Sequence, residues 1–341
     1  MTITSAMSFD VLGALPIRRV IEADLDGCID VVRRAYLSHD EGKAVVPHSS
    51  FLRMPDAPTS RIIALPAHLM APWSVSGIKW IASYPENVRT GIPRASAVLV
   101  LNRHDNGYPY ALLEASVISA ARTAASAALA AFELRGRSRR VRSLGFVGTG
   151  LIARWVRRFL LGSGFQVDEI HVHDLSAASA RKFADELAGF ERPVGVTVAS
   201  DADSVVSACD LTVLATVAPR PYLYDPAVLR HAPVVLNISL RDLAPELLLS
   251  AQNFVDDVDH VLRAETSPHL AQRASGHTEF ITGTLADLLL GRREVDRSRP
   301  VIFSPFGLGM LDLALGSHVF ERAVADGVTQ PVPAFFEGME A

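Results

Sequence analysis

The sequence predicts an α/β protein, and three observations carry that prediction. Beyond about residue 140, apolar runs of strand length alternate with helix-compatible segments, the rhythm of a parallel sheet covered on both faces. Before it, β-type runs are separated by turn signals, as in an antiparallel region. The length of 341 residues exceeds what one ordinary core holds, so the two textures read as two domains.

The elements follow in order. A helix is expected near residues 24 to 37. SAVLVLN and YPYALLE flank RHDNG, whose Asn106-Gly107 pair offers the positive φ angles of a tight hairpin. ISAARTAASAALAA belongs to a helix from about Ser116 to Leu134, with Gly136 as its stop. The basic RGRSRR after it reads as a solvated linker. SLGFVG, EIHVHD, GVTVAS, LTVLAT and PVVLNI are the expected parallel strands, with helices at LIARWVRRFLLG and SAASARKFADELAG. FGLGMLDLALGSHVFERAVADG reads as a closing amphipathic helix.

Composition excludes several classes. A formal charge of -4 without blocks of like charge gives no basic footprint for nucleic acid. Cys28 and Cys209 stand alone, without metal or redox spacing, and read as buried thiols of a reducing compartment. MTITSAMSFDVLGALPIRRV lacks the layout of a secretory signal. The apolar run Leu112 to Leu134 contains Glu114, Arg122 and Glu133, which are costly in lipid. A soluble cytoplasmic protein without a membrane partner is expected.

GFVGTGLIA is the sharpest motif. A strand runs into Gly148-Thr149-Gly150 and then a helix carrying Ala153 at the third small position. Such a turn lets a pyrophosphate approach the backbone at a helix N-terminus, the fingerprint of a Rossmann domain. Asp174 ends the second strand, 24 residues after Gly150. A carboxylate there accepts the ribose hydroxyls and repels a 2′-phosphate, which favours NAD; it reads alternatively as the cap of the helix after Leu175. His171 and His173 share a strand face without a third ligand, so no metal site is expected.

Three charged residues stand in unusual surroundings, each with two readings. Lys79 in VSGIKWIASYP is a ligand contact or a surface lysine on the strand's exposed edge. Arg122, the single charge among the alanines of ISAARTAASA, finds its anion in a ligand or in an ion pair with another element. Asp242 in NISLRDLAPE follows a parallel strand, where open α/β sheets place ligands, or caps the helix before Leu243.

GIKWIASYPENVRTGIPRASAVLVLN, ISAARTAASA, GFVGTGLIAR and NISLRD resemble, in order and spacing, the ornithine cyclodeaminase/mu-crystallin family, from about residue 16 to 325. The resemblance implies a Rossmann NAD-binding domain over 124–306, inserted into an α+β substrate-binding and dimerisation domain of residues 1–123 and 307–341. PRASAVLVLN, NGYPYALLEASVISAARTAASA and SPFGLGMLDLALG look closest to the branch that makes L-2,3-diaminopropionate for siderophores and peptide antibiotics. Those enzymes oxidise a secondary amine with NAD and release 2-oxoglutarate and diaminopropionate.

Carried over by position, the resemblance assigns the substrate carboxylate to Arg122, with Lys79 at the same carboxylate or the reacting nitrogen. Asp242 becomes the general acid/base. Arg53 and Arg94 are further substrate cations, Arg94 standing where simpler members carry a small hydroxyl residue. Gly148, Thr149, Gly150, Leu151, Ile152, Asp174, Thr216, Ser239 and Ser304 are the implied cofactor contacts. Glu246 occupies the place of the lysine usual a turn after the aspartate, a departure from ornithine cyclodeamination. A cyclodeaminase with recycled NAD, an alanine dehydrogenase or ketimine reductase, and a non-catalytic dinucleotide-binding protein are the competing readings.

Overall fold

The computed structural model describes residues 8–188 and 195–338. The element order begins β1 (Asp10–Leu12), α1 (Ala14–Ala23), α2 (Leu25–Asp40), β2 (Ala44–Val45), β3 (Ser50–Met54), β4 (Ala57–Leu69), β5 (Val75–Ser83), β6 (Ala95–Arg103), β7 (Pro109–Glu114) and α3 (Ser116–Leu134). It continues β8 (Arg140–Val147), α4 (Leu151–Gly162), β9 (Gln166–His173), α5 (Ala177–Ala188), β10 (Gly195–Val198), α6 (Ala202–Ala208), β11 (Leu211–Leu214) and β12 (Val234–Asn237). The last are α7 (Pro245–Leu249), β13 (Gln252–Val255), α8 (Val258–Val261), α9 (Ser267–Ser275), β14 (Ile281–Thr284), α10 (Leu285–Leu289), β15 (Val301–Ser304), α11 (Gly309–Ala325) and β16 (Gln330–Pro331).

The chain divides into two units, residues up to Arg122 with those from Leu308 onward, and Thr123–Gly307. The segment considered for a secretory signal lies partly in residues 1–7, outside the described residues; from Asp10 it forms β1 and α1.

In the first unit an eight-stranded sheet has the order β16-β1-β7-β6-β5-β4-β2, with β3 on β4. β3 through β7 pair antiparallel, so directly opposed residues share a face. Leu65, Lys79 and Leu99 form one such row, all buried. α11 packs on that face, and two glycines permit its approach. A Cβ on Gly309 meets the Leu65 carbonyl oxygen at 3.1 Å, and one on Gly316 meets Leu99 Cδ2 at 2.3 Å. The opposite face leaves Trp80 and Val98 exposed.

Three expectations are corrected here. Only Gly107 of the Asn106-Gly107 pair has positive φ; the Asn106 side chain instead accepts from the Tyr108 amide, a wider turn than a two-residue hairpin. RGRSRR is not a bare solvated linker, because Arg135 donates to the Arg140 and Asp210 carbonyls and Arg140 opens β8 and pairs with Asp168. α11 is buried at every position from Gly309 to Ser317, so it is amphipathic only in its second half.

In the second unit the sheet is parallel throughout, in the order β10-β9-β8-β11-β12-β15-β13-β14. β8 lies between β9 and β11, so the order reverses direction beside it, where open α/β sheets hold ligands. Helix α3 is long and apolar enough to cross a membrane by composition, but 78% of that window is buried inside the protein, as in a core helix. Both cysteines are free and buried, and burial raises their thiols to about 12.

Candidate active site

Each unit brings together one set of the residues singled out above. In the first unit, Lys79 sits on β5, an inner strand, on the face that α11 covers. It is 1% exposed, so the surface-edge reading is wrong. Its Nζ donates to Asp312 Oδ2 at 2.7 Å and to Ser119 Oγ at 3.1 Å. Arg122 Nε donates to Asp312 Oδ1 at 3.2 Å and one terminal nitrogen to Ser119 Oγ at 3.4 Å. The lone arginine of the alanine helix thus has an anion of its own on α11.

Two cations share one carboxylate, so this buried cluster carries an excess positive charge. Burial lowers Lys79 to about 8, against the opposing pull of Asp312. The ammonium uses two of its three donors on Asp312 and Ser119, and the guanidinium two of its five. The remaining donors suit an incoming anion.

Sequence reasoning missed Asp312. Its signal was the mirror image of Arg122: it is the one charged residue between Val301 and Ser317. Arg53 and Arg94 are not brought into contact with Lys79. Arg53 is exposed on β3 over the Phe51 ring, and Arg94 donates to Ser83 Oγ at 2.7 Å.

In the second unit, Asp242 lies in the loop after β12 with no exposed surface. Thr216 donates to its Oδ1 at 2.7 Å and Tyr222 to its Oδ2 at 2.8 Å. Backbone amides of Tyr222 and Leu223 donate to the Asp242 carbonyl, which ties the loop after β11 to the loop after β12. Burial raises the Asp242 carboxyl above the usual range, opposed by the hydroxyls of Ser239, Thr216 and Tyr222. Burial and the neighbouring Asp242 likewise raise the Tyr222 phenol. Such a carboxylate is a better base than a solvated one. Thr216 and Tyr222 are half-buried and form its outward border. Tyr222 had no signal in the sequence. Asp242 does not cap a helix; α7 begins three residues on, at Pro245, capped by Ala244.

The glycine turn shows two kinds of glycine. Gly148 has φ +85°, and a Cβ there meets the Ala215 carbonyl oxygen at 2.6 Å, so the fold itself requires glycine. Gly150, the N-cap of α4, has an ordinary φ of -73° and open space around an added Cβ. Nothing in the chain demands glycine there, whereas a pyrophosphate lying against the backbone does. Gly148→Ala is expected to lower stability by about 1–3 kcal/mol, while Gly150→Ala stays within about 0.5 kcal/mol and weakens dinucleotide binding. Thermal unfolding and NAD titration of both variants check the contrast.

Asp174 accepts from the Thr149 amide at 2.9 Å and the Thr149 hydroxyl at 2.8 Å through Oδ2. Its Oδ1 accepts from the Ser176 amide at 2.9 Å, a local turn; the cap of α5 is Ser176, whose hydroxyl accepts from the Ser179 amide at 3.2 Å, so Asp174 is not the cap. Other implied cofactor contacts are engaged within the unit: Ser239 donates to the Leu214 carbonyl and Ser304 accepts from Asn237. Leu151 is exposed and Ile152 half-buried in the first turn of α4. His173 faces the Ala199 carbonyl and His171 lies 3.9 Å from Glu169. Among the described residues no cluster of metal-ligand side chains occurs.

A parallel sheet whose first strand runs through a glycine turn into a helix defines a dinucleotide-binding fold of the Rossmann type. The family model described as "Ornithine cyclodeaminase/mu-crystallin family" matches residues 16–327, and the chain belongs to that family. Relatives that the chain resembles are named as dehydrogenases, reductases and a cyclodeaminase.

An N-((2S)-2-amino-2-carboxyethyl)-L-glutamate dehydrogenase of Staphylococcus aureus is 28% identical over 305 residues, 86% of this chain and 89% of the relative. An alanine dehydrogenase of Archaeoglobus fulgidus is 25% identical over 317 residues, 91% and 94% of the two chains. The solved Delta(1)-pyrroline-2-carboxylate reductase of Thermococcus litoralis, in complex with NADH and L-proline, superposes with a TM-score of 0.86 at 23% identity. That match covers 95% of this chain and 100% of the other, and it carries the fold alone.

Proposed function

We propose that the protein oxidises N-((2S)-2-amino-2-carboxyethyl)-L-glutamate with NAD to L-2,3-diaminopropionate and 2-oxoglutarate. The observation that carries this reading is the buried Lys79–Asp312–Arg122 cluster with its excess positive charge, which fits a substrate carboxylate. The relative from Staphylococcus aureus supports the particular amine.

Gly148, Thr149, Gly150, Leu151, Ile152 and Asp174 are assigned to the dinucleotide, joined by Thr216, Ser239 and Ser304. The open space at Gly150 fits a pyrophosphate, and the Asp174 carboxylate disfavours a 2′-phosphate. A nicotinamide held there would supply the acceptor for the hydride of the glutamyl Cα.

Lys79 and Arg122 hold the α-carboxylate and so fix that carbon in place. Asp242 takes the proton from the secondary amine as the C=N bond forms. Asp242 returns that proton to the imine nitrogen, water adds to the carbon and passes one of its protons to the nitrogen, and as the C–N bond breaks the hydroxyl proton goes to Asp242, leaving the carbonyl of 2-oxoglutarate and the free amine. Thr216 and Tyr222 hold the carboxylate oriented through this exchange. Arg53 and Arg94 serve the substrate's further carboxylates. Glu246, standing where cyclodeaminases carry lysine, argues against that chemistry.

Two properties follow. Arg122→Lys keeps the charge but loses the planar fork, so KM for the conjugate is expected to rise about 10- to 100-fold with NAD binding unchanged. In the parent protein the same KM is expected to climb as pH passes about 8, where Lys79 loses its proton. Steady-state kinetics across pH check both; a flat KM contradicts the anchor.

The exposed Trp80 and Val98 on the uncovered sheet face support a homodimer through that face. We place the protein in the cytoplasm, supplying diaminopropionate to siderophore or peptide antibiotic assembly.

A further inference from the structure

The face of the first unit's sheet that carries Lys79 also carries a row of arginines. Arg53 of β3 is registered directly opposite Arg61 of β4, and Arg61 directly opposite Ser83 of β5. Opposed residues in antiparallel strands point to the same face, so these three side chains stand in line. Arg94 joins them from the segment before β6, its guanidinium donating to Ser83 Oγ at 2.7 Å. Three guanidinium groups, from β3, β4 and the segment before β6, therefore stand on one face.

Lys79 and Ser83 are four residues apart on β5, hence on that same face and about 14 Å apart along the strand. The Arg53 guanidinium leans over Phe51, which occupies the intervening row, so it is drawn toward Lys79. Burial falls along this direction. Leu65, Lys79 and Leu99 are buried beneath α11, whereas Arg61 and Arg94 are half-buried. Burial also lowers the Arg94 guanidinium from its usual value.

Like charges placed directly opposite one another repel across a strand pair. Among the described residues neither Arg53 nor Arg94 has an ion pair. A protein of net charge -4 that concentrates three cations in this way is built for an anion.

We propose that Arg61, with Arg53 and Arg94, forms a second anion subsite that holds the distal carboxylate of a dicarboxylate-derived amine, one end of which is anchored at Lys79 and Arg122. Arg61 is the specificity-determining centre of this row, because it alone is registered against both Arg53 and the serine that Arg94 grips. The inference rests on the proposed reaction for the orientation of the substrate, but the subsite itself stands on the row. It predicts selection for dicarboxylic over monocarboxylic partners, and so against alanine or ornithine.

The test uses the oxo acids rather than turnover. The full-length protein with NADH is titrated with 2-oxoglutarate and with 2-oxobutyrate, which lacks the distal carboxylate, following NADH fluorescence. The parent is expected to prefer 2-oxoglutarate by about 10- to 100-fold. Arg61→Gln is expected to bring that ratio close to one while leaving 2-oxobutyrate binding unchanged, and Arg61→Lys to restore part of it. A role confined to holding the fold moves both acids together. A parent without the preference, or an Arg61→Gln protein that keeps it, overturns the subsite. A parent that shows the preference yet oxidises no glutamate conjugate overturns the proposed reaction and leaves the subsite standing.

Discussion

Asp242→Asn is expected to lower kcat for the conjugate by about 10²–10⁴-fold while NAD affinity changes by less than about threefold. The asparagine keeps the shape of the side chain and accepts from one hydroxyl, but it cannot take up a proton. The carboxyl it replaces has no exposed surface, is raised by burial, and is held by Thr216 and Tyr222. An apolar pocket would keep such a group protonated; the hydroxyls that oppose burial keep its anionic form available as a base. Single-turnover kinetics with NAD titration separate chemistry from binding. Turnover within a few fold of the parent removes Asp242 from the chemistry.

Asp312→Asn is expected to destabilise the first unit by about 3–5 kcal/mol. The carboxylate is 0% exposed and answers two cations, one of them a lysine that is itself 1% exposed. Removing it leaves both charges facing each other, and Lys79 moves further below about 8. The sign follows from linkage. A lysine whose folded value lies below its unfolded value adds stability above the unfolded value, and that contribution is lost as pH falls through the folded one. The deficit against the parent is therefore largest near neutral pH and narrows toward about pH 10, where Lys79 is neutral in both proteins. Urea unfolding at the two pH values measures it. An equal deficit at both contradicts a charge-based cause.

What the sequence disclosed depended on how local each feature is. GFVGTGLIA is contiguous, running from the end of β8 through the turn at residues 148–150 into α4, so the motif and its setting were legible together. The alternation in GIKWIAS revealed a strand but not which face is covered, because the cover is α11, far along the chain. Lys79 therefore read as well on the surface as in the core. Arg122 and Asp312 are 190 residues apart, and no periodicity links them; each shows only as a solitary charge in an apolar helix. β13, β14 and β15 are four residues each, too short for pattern, and Tyr222 sits in an irregular loop whose course is set by hydrogen bonds to the Asp242 backbone. The row of Arg53, Arg61 and Ser83 exists only through strand register, which the sequence does not state.

The most direct measurement incubates the purified protein with NAD and N-((2S)-2-amino-2-carboxyethyl)-L-glutamate, recording NADH absorbance and assaying 2-oxoglutarate, with ornithine and alanine in parallel. The proposed function predicts NADH and 2-oxoglutarate in equal amounts from the conjugate, and neither ammonia from ornithine nor NADH from alanine. Ammonia released from ornithine without net NADH, or NADH formed from alanine but not from the conjugate, contradicts it.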